Sequence, residues 1–115
     1  MRSVLRVDSV ARSKLKLILV SILSWTAAGP VLADEARPLL QKYKCYACHA
    51  DAETKTGPAF VDVAARYRRD PKAGAVLVEA VKDGAHGAGP WHMPPHPEVS
   101  DADARIMIRY ILSLR

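Results

Sequence analysis

Apolar residues recur at helical spacing along most of the chain, and no stretch alternates convincingly with the period of a strand. Leu39, Leu40 and Tyr43 follow Pro38, a residue tolerated in the first turn of a helix, so a first helix is expected to start between Asp34 and Pro38. Phe60, Val63, Ala64 and Tyr67 stand at i, i+3, i+4 and i+7, one apolar face of a short second helix. A third is bracketed by Asp70 as N-cap, Pro71 at the first helical position and Gly84 as the stop after Lys82. The last opens at Ser100, carries Asp101 and Asp103 near the positive end of its dipole, and runs on through Met107, Tyr110, Ile111 and Leu114. Between the third and last helices, residues 84–97 contain three glycines and four prolines, which exclude a helix and can fix an irregular loop. The pattern predicts an all-α domain of three to four helices with no internal repeat.

The N-terminus reads differently. Arg2, Arg6, Arg12, Lys14 and Lys16 precede an apolar run from Leu17 to Trp25, followed by Gly29-Pro30 and the small-residue end Val31-Leu32-Ala33. A basic start, a short apolar run and small residues before a cleavage point make a secretory signal peptide. Residues 1–33 are therefore expected to be removed, with cleavage between Ala33 and Asp34, leaving 34–115 as the functional domain. The apolar run falls well short of the ~20 residues that cross a bilayer, so no stable membrane insertion is expected after cleavage. Loss of the leader also changes the charge. The whole chain has 17 basic and 12 acidic residues, a formal +5; without five of the basic and one of the acidic, 12 and 11 remain, a net +1. The basic character is mostly the leader's. With no basic stripe interleaved with aromatics, nothing points to nucleic acid.

A chain of this size buries only a modest core, and small scaffolds usually need a staple. Cys45-Tyr46-Ala47-Cys48-His49 offers one. Two thiols three positions apart can each add across a vinyl group of one porphyrin, and the adjacent His can reach the iron: Cys-x-x-Cys-His is the attachment signature of c-type haem. A redox dithiol would follow a β-rich run, which is missing before Cys45. A zinc site needs four ligands, and the chain has two cysteines, with His86, His92 and His96 together in a distant loop. A disulfide between Cys45 and Cys48 would close too small a loop to constrain much. A covalently tethered haem also agrees with export, because c-type attachment takes place outside the bacterial cytoplasm.

The glycine- and proline-rich loop can hold one side chain over the other face of a haem. Met93 is the candidate that chemistry favours, since a thioether is a soft neutral ligand and Met/His ligation suits a one-electron carrier. Met107 stands at helical spacing among core residues, where packing is the usual role of Met. The alternative is that Met93 packs against the haem edge while His86, His92 or His96 ligates.

Residues 34–115 resemble the short class I monohaem cytochromes c of bacterial periplasms. The resemblance rests on Cys45-Tyr46-Ala47-Cys48-His49, Gly57-Pro58-Ala59-Phe60, Lys82-Asp83-Gly84, Met93-Pro94-Pro95, Val99-Ser100-Asp101 and Tyr110-Ile111-Leu112, which agree in order and spacing. It implies a small class I cytochrome c fold, with three to four helices wrapped around one covalent haem and with Leu40 and Tyr110 where the first and last helices cross. It also implies that the carbonyl of Pro58 accepts the Nδ1 proton of His49, orienting the ring and raising its basicity. Three positions depart from the family pattern. Trp91 lies two places before Met93 rather than about five, Ala80 replaces a basic residue that pairs with a propionate in some members, and His96 replaces an Asn often found after Met-Pro-Pro.

The expected function is one-electron transfer in the periplasm by a single haem c bound through Cys45 and Cys48, with His49 and Met93 as axial ligands. Such a protein is not an enzyme, and is expected to be a monomer that meets a redox donor and an acceptor such as an oxidase, reductase or dehydrogenase. The alternative is a haem c subunit of a permanent dehydrogenase or oxidase complex.

Overall fold

The computed structural model describes residues 29–87, 90 and 92–115. The basic start and apolar run of the expected leader, and Trp91, lie outside the described residues. Helix α1 (Gly29–Lys42) leads into a 3-10 turn (Cys45–Ala47). Then come α2 (Phe60–Tyr67) and α3 (Ala73–Asp83), a two-stranded antiparallel ladder of β1 (Ala85–His86) and β2 (His92–Met93), and α4 (Asp101–Ser113).

Helix α4 is the centre of the domain because its apolar face is the widest. Ala104, Met107, Ile108, Tyr110 and Ile111 are all buried, and α4 packs on α1, α2 and α3 in turn. Those three helices bring Ala36 and Leu40, Phe60, and Leu77 to the same core, closed by Val99 just before α4. Leu40, Met107 and Val99 are the largest fully buried side chains, each at 2 % exposure or less. Burying one such side chain stabilises the fold by roughly 1.5–3 kcal/mol. Leu40 and Tyr110 share this core, so the first and last helices cross where the family resemblance places them.

The ends of the elements follow from local chemistry. The Oγ of Ser100 accepts the Asp103 N–H at 3.1 Å and so caps α4, a contact typically worth about 1 kcal/mol. Asp70 and Pro71, expected as the N-cap and first residue of α3, instead lie in a turn ahead of it: α3 starts at Ala73 with Lys72 at its N-cap, and Asp70 Oδ1 accepts the Lys72 N–H at 2.8 Å. Gly84 stops α3 at a φ of 88°, a conformation that costs a glycine little. Lys82, in the last turn of α3, pairs with Asp101 in the first turn of α4, and the ammonium holds the Asp101 carboxyl below the usual carboxylate range.

Two further expectations need correction. Helix α1 begins at Gly29 rather than between Asp34 and Pro38, so Pro38 sits inside it. Proline there removes the bond to the carbonyl four residues earlier, but Pro38 and Asp34 are both exposed, where water can serve that carbonyl. Ala36 and Leu40, on the opposite face, are buried and keep the helix going. The loop 84–97 is not wholly irregular either. It contains the β1–β2 ladder, with Ala85 opposite Met93 and His86 opposite His92.

Candidate functional site

The Cys motif is shaped by one sharp turn. Lys44 takes a left-handed conformation at φ 58° and ψ 27°, an unusual state for a non-glycine residue, and swings the chain out of α1 into the 3-10 turn. The Cys45 carbonyl then accepts the N–H groups of both Cys48, at 3.2 Å, and His49, at 3.0 Å, which folds the five residues into one compact knot. The two sulfurs are not bonded to each other. Cys45 is half-buried and burial pushes its thiol up, whereas Cys48 is exposed. A helix, not a strand, leads into the pair, so the setting differs from that of a redox dithiol.

His49 is fixed on several sides. Its Nδ1 lies 2.7 Å from the Pro58 carbonyl. A carbonyl can only accept, so Nδ1 carries the proton and Nε2 is left with the lone pair. The ring stacks on Phe60, with centroids 5.0 Å apart and planes 17° from parallel. Gly57 presses against the ring, and a Cβ there would come within 2.8 Å of both ring nitrogens. The segment is closed by the Gly57 N–H on the Cys48 carbonyl at 2.7 Å and by the Phe60 N–H on the Ala50 carbonyl at 2.9 Å. The sequence marks Gly57 only as part of a family motif; the crowding against the ring shows what it does there.

Beside this knot lies a polar cluster that spacing could not have found, because its members come from distant parts of the chain. Asp51 accepts the hydroxyls of Tyr46 at 3.2 Å and Tyr110 at 2.8 Å, and pairs with Arg37 at 3.4 Å. Arg37 Nε also donates to the Tyr110 hydroxyl at 3.2 Å. The cluster ties Tyr46, one of the two residues between the cysteines, to α1 and α4. Burial first, and then the Asp51 carboxylate, push the Tyr46 phenol up to about 12.

Met93 belongs to a different element. It is half-buried on β2 and pairs with Ala85 on β1. Gly84 fits closely behind it, since a Cβ at that position would stand 2.9 Å from the Met93 carbonyl oxygen. Farther along, the His96 N–H bonds to the Val81 carbonyl at 2.9 Å and hooks the loop onto the end of α3. The loop histidines divide into two groups. His86 and His92 face each other across the ladder, while His96 Nδ1 lies 3.1 Å from Glu98 Oε1. Ala80 is half-buried on α3.

The donor set fits a haem. There are two free thiols at the attachment spacing, an imidazole whose Nδ1 is already engaged, and a thioether on a separate short ladder.

Comparison with known proteins agrees with this chemistry. The cytochrome c family model matches residues 32–115. Cytochrome c-552 of Nitrosomonas europaea is 43% identical over 90 residues, covering 76% of this chain and 84% of that protein. Cytochrome c-551 of Pseudomonas aeruginosa is 36% identical over 99 residues, covering 81% and 94%. The crystal structure of wild-type Nitrosomonas europaea cytochrome c552 superposes with a TM-score of 0.66 at 39% identity, covering 69% of this chain and 99% of that one.

Proposed function

Because the chain belongs to the cytochrome c family, as a small class I monohaem bacterial member, we propose that His49 Nε2 and the Met93 thioether are the two axial ligands of its iron. The protein is a haem c electron carrier, and its one haem is covalent through Cys45 and Cys48. When bound, the haem supplies the one-electron Fe(II)/Fe(III) couple. The chain's own residues do the rest. The Pro58 carbonyl accepts the Nδ1 proton of His49, which orients the ring and leaves the Nε2 lone pair to hold the iron. Phe60 and Gly57 pack against the ring and fix its orientation. Met93 adds a soft neutral donor that favours the reduced state. With His49 and Met93 both holding the iron, no position on it would be left for a substrate, and the protein would act as a carrier rather than an enzyme.

The observation that carries this reading is the 2.7 Å contact between His49 Nδ1 and Pro58, made by a ring already clamped by Gly57 and Phe60. Its test is spectroscopic. The ferric protein should be low-spin with the weak far-red sulfur-to-iron charge-transfer band. Met93→Ala should abolish that band, let carbon monoxide bind the ferrous form and lower the potential, while single Ala changes at His86, His92 or His96 leave the band intact. Loss of the band in one of the His variants, with Met93→Ala silent, would overturn the axial assignment.

The same reading places the working protein in the periplasm as residues 34–115, delivering electrons between a redox donor and an acceptor. The basic, apolar and small-residue sequence of the leader supports it. Intact mass of the exported protein should equal residues 34–115 plus one haem, with no free thiol. A mass that retains the first 33 residues would rule the cleavage out.

A further inference from the structure

The ladder that carries Met93 has a second face. Successive side chains of a strand point to opposite sides. With Ala85 opposite Met93 and His86 opposite His92, the half-buried Ala85 and Met93 share the inner side, and the exposed His86 and His92 share the outer one. The two imidazoles lie with ring centroids 5.8 Å apart and planes tilted by 36°. The proposed haem ligation uses neither of them. We propose that His86 and His92 together form a binding site for a borderline divalent transition-metal cation, of the zinc, copper or nickel class.

The geometry suits such an ion. A cation at ~2.0–2.1 Å from one nitrogen of each ring sets the centroids roughly 5–6 Å apart, the spacing already present. Backbone pairing fixes both Cα positions, so only side-chain rotation remains to be lost on binding. Imidazole selects zinc, copper and nickel, whereas calcium and magnesium require oxygen ligands. No group of three or more His, Cys, Asp or Glu side chains that could hold a metal occurs among the described residues, so water completes the coordination and the site is open to exchange. His96 is set apart from the pair by its contact with Glu98. The site rests on the ladder alone, and stands whether or not Met93 binds the iron.

Zinc sulfate is the first probe, because zinc is redox-inert and leaves the haem in its starting state. Calorimetric titration of the haem-loaded protein should give saturable binding of one zinc per molecule. His86→Ala and His92→Ala should each weaken it by about tenfold or more, with the visible spectrum reporting that each variant remains folded. His96→Ala should leave it unchanged. Copper(II) added to the same proteins should show hyperfine coupling to two imidazole nitrogens in the wild type and to one in either His86→Ala or His92→Ala. Absence of saturable zinc binding overturns the proposal. So does zinc affinity that survives either substitution, because the ion is then bound elsewhere, and so does one zinc shared between two molecules.

Discussion

The segment from Cys45 to Phe60 and the ladder from Ala85 to Met93 each carry a proposed iron ligand, but they are secured by very different amounts of structure. His49 is engaged by a carbonyl, a stacked ring and a glycine, all within a segment that Phe60 anchors in the core. Met93 rides on a ladder of two residue pairs, attached through Gly84 and the His96–Val81 bond. An isolated two-stranded ladder is marginal in water, so the Met93 side depends on what it packs against. The contrast assigns different roles to the two sides. The attachment side is built into the core, while the ladder side is held by a few local contacts.

The largest effect should come from cutting the attachment side at its root. Replacing both Cys45 and Cys48 with Ala should remove covalent haem and most of the far-ultraviolet helix signal together, since the polypeptide core is small for independent folding. Met93→Ala, by contrast, should keep its helix signal. If the double variant folds as a fully helical apo-protein, the core of Leu40, Met107 and Val99 is sufficient by itself and the asymmetry between the two sides is much weaker than argued.

A gentler comparison adds one methyl group to each side. In Gly57→Ala the new Cβ meets the His49 ring, which cannot retreat because Phe60 is stacked on it. Overpacking of this kind costs about 1–3 kcal/mol, and it should appear as a lower denaturation midpoint of the holoprotein. In Gly84→Ala the new Cβ meets the Met93 carbonyl, and a φ of 88° is costly for alanine. A ladder of two residue pairs can shift to give up both the contact and that φ, so global stability should fall less. The far-red band should instead weaken, and cyanide should displace the ligand faster. A Gly84→Ala protein with a larger loss of stability than Gly57→Ala would reverse the ranking of the two sides.

The two sides also differed in how far the sequence disclosed them. Cys45 to His49 is legible because five contiguous residues carry the whole chemistry, and Ser100 with Asp101 and Asp103 marks the start of α4 for the same local reason. The ladder was missed because two residues per strand are too few to establish a period, and the flanking glycines and prolines hide it further. Pro38 misled in the opposite way. The rule that places proline in a first turn is local, and the burial of Ala36 and Leu40 overrides it. The Asp51 cluster joins residues 5 to 59 positions apart from it, so nothing short of the fold brings them together.

That cluster provides the smallest test, a pH dependence that belongs to the attachment side. The Tyr46 hydroxyl donates to Asp51, and its phenol is pushed up to about 12 from an ordinary value near 10. A raised value means that the folded state holds the proton more tightly than the unfolded chain. The resulting contribution is fully present below about pH 10 and is lost as pH rises from about 10 to about 12. Two units would correspond to about 2.7 kcal/mol, but Tyr46 is only partly buried, and solvent screening reduces the expected loss to about 1 kcal/mol. Phenylalanine cannot titrate, so in Tyr46→Phe this slope should vanish. The stability advantage of the wild type over the variant, read from denaturant midpoints at each pH, should shrink across the same window. An advantage that stays level from about pH 8 to about pH 12 would mean that the phenol is solvated and that Asp51 does not brace the haem-attachment segment through it.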